Sequence, residues 1–229
     1  YKAYSKEIVQ LQHALEQEDD EKDRLRLQQR IEGRYRDRAK LLKKNDQKVQ
    51  TLQTIFDEIP PSARVLIYGD DLNHLDELGK ELDRMGKYYF KYTGELDAQK
   101  ERPTILKEFR QGIRKILLAV GCLDEGIDIP ACDVAVFISS STSERQFIQR
   151  RGRVLRIAPG KMTAWIYDYL VYPILPASTS DEERRMALSM IDAQYRRINL
   201  MVDDAINGIR EHQKLDQFLS QRKLNPYDF

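Results

Sequence analysis

Eight consecutive residues, Gln149 to Arg156, set a glutamine and four arginines around one glycine. On a helix, Gln149, Arg153 and Arg156 stand at i, i+4 and i+7 and share one face. Gly152 keeps that turn thin, so another backbone or a phosphate can come close. Guanidinium groups are planar, always charged and rich in donors. They suit a polyphosphate spread along the face better than a single carboxylate. A solvated basic helix paired with acids satisfies the same residues. Ser140, Ser141, Thr142 and Ser143 lie just before the helix and are good caps.

A second stretch lies upstream. Leu118-Ala119-Val120 reads as the end of a buried strand, followed by a loop holding Gly121, Asp124, Glu125, Gly126 and Asp128 ahead of Pro130. Backbone amides at Val120 and Gly121 are placed to meet a phosphate oxygen. Asp128, two residues after Gly126, is placed either to accept a hydrogen bond from a sugar hydroxyl or to cap the turn before Pro130.

Taken together, these segments resemble superfamily 2 helicases. Gly126-Ile127-Asp128-Ile129-Pro130 is similar to motif V, and Gln149 to Arg156 fits the QxxGRxxR form of motif VI. Arg64 to Gly69 occupies the place of motif IV. Tyr92-Thr93-Gly94, followed by Arg102 and Phe109, resembles the family's next segment. The resemblance covers about residues 62 to 172, with four motifs in the family's order, and the flanking helices resemble those of restriction and repair translocases.

The resemblance implies the C-terminal RecA-like lobe, working beside a lobe 1 that holds ATP and Mg2+. Arg153 and Arg156 would be arginine fingers reaching the γ-phosphate. Gln149 would link their helix to the acidic motif or attacking water of lobe 1. Gly126, Asp128 and Gly152 would approach the nucleotide, Asp128 near the ribose. Gly69, Thr93, Gly94, Val120 and Gly121 would line the track of the nucleic-acid backbone. Many family members carry a threonine where Val120 or Gly121 stands, so a phosphate contact there uses backbone amides. The family flavour of motifs V and VI points to DNA rather than RNA, with a double-stranded track. The reading from another class is a non-catalytic nucleic-acid-binding or scaffold module derived from a helicase lobe.

The elements that position these residues follow from pattern. Apolar runs at Arg64–Tyr68, Tyr88–Tyr92, Lys115–Val120, Val134–Ile138 and Ala164–Tyr169 predict strands. Between them, Leu72, Leu75, Leu78, Leu82 and Met85 form a helical stripe, with further helices at Thr104–Phe109 and Ser143–Val154. Such alternation predicts an α/β fold with a mainly parallel sheet flanked by helices, its ligand sites at the carboxyl ends of the strands. Residues 61–172 form this lobe. Residues 1–60 read as a helical extension from lobe 1, two helices with a charge run from Glu16 to Lys40 that reads as a solvated face in preference to a nucleic-acid arm. Residues 173–229 read as a C-terminal helical extension. There Leu188, Ile191, Tyr195, Ile198, Val202, Ala205 and Ile209 are spaced 3, 4, 3, 4, 3, 4, predicting one long helix with a seam for a partner helix.

Composition narrows the field further. With 38 basic and 37 acidic side chains the net charge is +1, so no whole-chain basic field exists and any nucleic-acid contact is local. Cys122 and Cys132 form no CxxC pair and the histidines stand far off, which argues against a zinc site and a secreted disulfide framework. Buried thiols in a reducing cytoplasm fit, and no signal peptide or membrane span appears. The chain begins at Tyr1 without methionine and reads as part of something longer. No GxxxxGK[ST] pattern occurs, since Gly79-Lys80, Gly86-Lys87 and Gly160-Lys161 run into Glu81, Tyr88 and Met162. No DExD or DExH box follows an apolar strand either. The cradle for ATP and the carboxylate for its metal therefore belong to lobe 1.

Overall fold

A computed structural model describes residues 2–97, 99–120, 132–139, 144–156, 161–176, 179–222 and 224. In chain order its elements are α1 (Lys2–Glu16), α2 (Glu21–Lys43), α3 (Asp46–Gln50), α4 (Leu52–Glu58), β1 (Val65–Tyr68), α5 (Leu72–Arg84), β2 (Phe90–Tyr92), α6 (Glu101–Arg110), β3 (Ile116–Ala119), β4 (Val134–Phe137), α7 (Glu144–Val154), β5 (Trp165–Asp168), α8 (Asp181–Val202) and α9 (Gly208–Gln221). They form two compact units, residues 43–169 and residues 1–42 with 170–229.

The first unit holds a five-stranded sheet in the order β2-β3-β1-β4-β5, parallel throughout. All five expected strands are present, trimmed at their ends. β2 starts at Phe90 because Tyr88 is 91 % exposed just after the turn at Gly86. β1, β3 and β4 are four-residue apolar runs buried at every position, as strands covered on both faces must be. Val65, Ile67, Ile116, Leu118, Val134 and Val136 pack with Leu75, Leu78 and Leu82 of α5 and with Leu52 and Ile55 of α4. The Asp71 side chain caps α5, accepting the His74 amide at 2.9 Å. Gly86, at φ 65°, closes it in the left-handed region that glycine enters without penalty.

The other face of the sheet is aromatic. Tyr68 and Phe137 are register partners on adjacent strands and stack at 4.9 Å. Phe147 of α7 tilts against Phe137 at 5.5 Å. At the starting ends of the strands, Arg64 grips Asp133 through two guanidinium bonds of 2.8 and 2.9 Å and its own amide at 2.9 Å. This fork fixes β1 against β4.

The N-terminal stretch differs from the expected helix pair. After α1 and α2 come two short helices, because Asn45 interrupts the pattern and caps α3 by accepting the Gln47 amide at 2.9 Å. α1 and α2 form a hairpin tied by Arg34 to Glu7 (2.9 Å) and Gln12 to Tyr35 (3.2 Å). Asp20 caps α2 from the intervening turn.

The expected single long C-terminal helix is corrected to two. α8 ends at Val202, the chain turns through 203–207, and α9 begins at Gly208. Leu188, Ile191 and Tyr195 of the seam are buried against Leu215, Phe218 and Leu219 of α9, whereas Ile209 is 81 % exposed. Two physical features break the seam. Asp203 and Asp204 follow the helix carboxyl end, where negative charge is unfavourable. A Cβ on Gly208 would run into the Val202 carbonyl, so the turn needs glycine there. Gln194, buried, clasps the backbone of Val171 with two bonds of 2.8 Å. Among the described residues, no helix is long and apolar enough to cross a membrane.

Candidate functional site

Parallel strands bring their carboxyl ends to one edge, and register places the candidate residues along it. Tyr68 and Tyr92 both pair with positions leading to Ala119, so Gly69, Thr93 and Val120 emerge side by side, with Gly94 next to Thr93. Gly69 is buried, and its amide donates to the Ala119 carbonyl at 2.9 Å. A Cβ there would stand 2.7 Å from a Leu75 methyl, so the glycine lets α5 close over the strand end. Thr93 is buried and Gly94 exposed, its carbonyl accepting from Arg102 Nη2 at 2.7 Å. Val120 is half-buried against the core. Gly121, Gly126 and Asp128 lie outside the described residues, as do Ser140 to Ser143.

α7 has two faces. Phe147, Arg150 and Val154, at i, i+3 and i+7, are buried, with the Arg150 guanidinium 5.4 Å from the centre of the Tyr68 ring. Gln149, Gly152 and Arg156 are exposed and Arg153 is half-buried. The helix ends at Val154, so Arg156 follows the last turn instead of completing it. The Val154 carbonyl accepts from Lys161 Nζ, a cationic cap at the helix carboxyl end. Burial depresses the Lys161 pKa. Gly152 has open space where a side chain would project.

A polar group at the ends of β1 and β4 was not singled out by sequence. Lys48 is buried, donates from Nζ to the Ile138 carbonyl at 3.0 Å and lies 5.8 Å from the centre of the Tyr169 ring. Ser139 Oγ donates to Asp70 at 3.3 Å, and Lys43 pairs with the same carboxylate at 2.9 Å. Both contacts hold the strand end that leads towards α7. One signal was available: Lys48 precedes Leu52, Ile55 and Ile59 at spacings of 4, 3 and 4, the pattern of a buried helical face. For Arg150 the equivalent signal was its place between Phe147 and Val154.

Cys132 is fully buried and burial pushes its thiol up to about 12, so it is inert. Among the described residues, no group of three histidine, cysteine or carboxylate side chains is placed to hold a metal ion.

Comparison with known proteins accounts for this layout. The helicase conserved C-terminal domain matches residues 47–158. Dicer-like protein 2-1 of Aspergillus niger is 47 % identical over 58 residues, 25 % of this chain and 4 % of that protein. DNA 3'-5' translocase XPB2 of Sulfurisphaera tokodaii is 41 % identical over 56 residues, 24 % of this chain and 13 % of the translocase. UvrABC system protein B of Coxiella burnetii is 28 % identical over 133 residues, 54 % of this chain and 20 % of that protein. The matched part thus spans a fifth or less of these relatives' own lengths. The order of motifs, the parallel sheet and the matched domain agree, and residues 47–158 are a helicase conserved C-terminal domain of the superfamily 2 type.

Proposed function

We propose that this domain is the second motor lobe of an ATP-dependent helicase or translocase, and that α7 presents its arginine fingers. The observation that carries the reading is the division of α7. Phe147, Arg150 and Val154 hold it to the sheet while Gln149, Gly152 and Arg156 face out with Arg153 between. A helix seated on one side and lined with donors on the other fits a polyphosphate brought by a second lobe. Bound ATP with Mg2+ would supply the phosphoanhydride whose cleavage drives the cycle. Arg153 and Arg156 direct N–H donors at charge developing on the γ-phosphoryl oxygens. Gln149 reaches across to lobe 1, and Gly152 keeps the face low enough for approach. Gly126 and Asp128 meet the nucleotide, Asp128 at the ribose. Gly69, Thr93, Gly94, Val120 and Gly121 border the nucleic-acid track. Thr93 is buried, so its part is played through backbone. DNA is the preferred track, supported by the likeness to a relative described as a DNA 3'-5' translocase, and the choice of a double-stranded one rests on the resemblance of motifs V and VI.

The test is nucleic-acid-stimulated ATP hydrolysis by the full-length protein, with duplex DNA, single-stranded DNA and RNA compared. Arg153→Ala and Arg156→Ala are expected to lower kcat by about 10³-fold, in line with arginine fingers elsewhere, while duplex affinity stays within a factor of a few. Turnover near that of the unmodified protein would reject the finger assignment. Stimulation by RNA alone would reject the choice of DNA.

A further inference from the structure

The outward face of α2 carries a row of six residues, four of them cations. Lys22, Arg26, Gln29, Gly33, Arg36 and Lys40 are spaced 4, 3, 4, 3 and 4 apart, which aligns them on one side of this 23-residue helix. The row runs about 27 Å at 1.5 Å per residue. Ile31, the buried residue of α2, falls on the opposite side. That inner side is where Arg34 and Tyr35 meet α1. Every member of the row is exposed except Gly33, which is half-buried with open space where a Cβ would project. Arg30, also exposed, stands beside it.

The row contains no acid. Asp23 and Asp37 flank it, the first paired with Arg26 at 2.7 Å and the second with Arg34 at 3.1 Å. Glu32 lies at its edge, one turn before Arg36. Lys22, Arg30, Arg36 and Lys40 have no ion-pair partner among the described residues. The helix has nine basic and four acidic residues within a chain of net charge +1, so positive charge is concentrated here and balanced elsewhere.

A face kept only for solubility mixes signs along its length. A track for a single strand interleaves cations with aromatic platforms on which bases stack, and no aromatic residue lies on this row. What remains is two pairs of cations, Lys22 with Arg26 and Arg36 with Lys40, held along one rigid helix with Arg30 beside the gap between them, a spread of charge that suits the phosphates of a duplex. We propose that the outward face of α2 is a docking surface for the sugar-phosphate backbone of double-stranded nucleic acid. It grips phosphates, reads no bases and so carries no sequence preference. It belongs to the helical unit, is independent of the sheet edge and of α7, and requires neither ATP nor lobe 1.

The test is equilibrium binding of the 229-residue chain to a fluorescent duplex by anisotropy, without nucleotide, at several salt concentrations. The variant Lys22→Gln/Arg30→Gln/Arg36→Gln/Lys40→Gln keeps helix-forming residues at exposed sites, and circular dichroism checks its fold. Duplex affinity is expected to fall at least about tenfold at low salt. The slope of log K against log salt should shrink by about three to four, at about 0.9 per lost phosphate contact. The half-variants Lys22→Gln/Arg30→Gln and Arg36→Gln/Lys40→Gln should each remove about half of that slope, which keeps the test open if the fourfold variant misfolds. Unchanged affinity and slope would overturn the proposal, as would failure of the unmodified chain to bind duplex at all. Binding to phosphatidylserine vesicles but not to duplex would overturn it too, in favour of a membrane surface. Failure of the finger reading shows separately, as unaltered turnover in the full-length Arg153→Ala protein.

Discussion

Along α7 and just past its end, arginines three positions apart meet different surroundings. Arg150 is 8 % exposed over the Tyr68 ring, while Arg153 is half-buried and Arg156 exposed. Their chemistry is the same; helix phase separates Arg150 from Arg153, and Arg156 projects because it lies beyond the last turn. His74 shows how burial sets the behaviour of one side chain. It is fully buried, and the Asp70 amide donates to its Nδ1 at 3.2 Å, so the neutral ring carries its proton on Nε2. Burial depresses its pKa, outweighing the nearby Glu77 and Asp70 carboxylates that favour the charged form. The unfolded chain therefore binds a proton below about 6.5 that the folded chain resists, and stability falls as pH drops from that value. Asp71, held low by its hydrogen bond to Lys44, acts in a separate window. Its contribution is present above about 3.9 and lost as pH falls through its depressed value. In His74→Asn the new side chain can accept the Asp70 amide and does not titrate. The fall in Tm between pH 7 and 5.5 should flatten, leaving the variant relatively more stable at the acid end. An equally steep fall in both proteins would refute the assignment.

At the scale of elements, the end of β4 is held from a distance of 90 residues. Lys48 of α3 supplies a charged donor to the buried Ile138 carbonyl. In Lys48→Met the apolar stem remains and the donor goes, leaving a buried acceptor short of a partner. The expected cost is about 2 kcal/mol, the range for a hydrogen bond to a charged group, read as a lower denaturant midpoint with unchanged m. A midpoint equal to that of the unmodified chain would show that the contact contributes nothing. This contact also marks where pattern reading ends. Alternating apolar runs and the leucine stripe of α5 made the sheet and its helices legible, because periodicity reports burial directly. Lys48 sits in a highly charged stretch, and its partner is set by topology that no local pattern encodes. The seam from Leu188 to Ile209 failed in the opposite direction. Its spacing continued past Val202 by coincidence, while Asp203, Asp204 and Gly208 had already ended the helix.

Over the whole molecule, what the domain presents and what it omits belong to one argument. The sheet edge gathers Gly69, Thr93, Gly94 and Val120, and α7 turns Gln149, Gly152 and Arg156 outward. Nowhere in the 229 residues is there a GxxxxGK[ST] loop to cradle phosphates, and no DExD box follows an apolar strand to bind their metal; the one DExD spelling, Asp20 to Asp23, lies in the charged run at the start of α2. Arginine fingers stabilise charge in a transition state, but they cannot hold the nucleotide or orient the attacking water by themselves. The purified chain should accordingly release phosphate from ATP at the rate of a protein-free control, with or without duplex DNA, even at millimolar nucleotide. Restoring turnover should require a polypeptide that supplies the phosphate cradle and acid box. Arg153→Ala in this chain should then blunt the restored rate. Robust duplex-stimulated hydrolysis by the chain alone, unaffected by Arg153→Ala, would mean that the nucleotide is held and cleaved by residues other than those on α7.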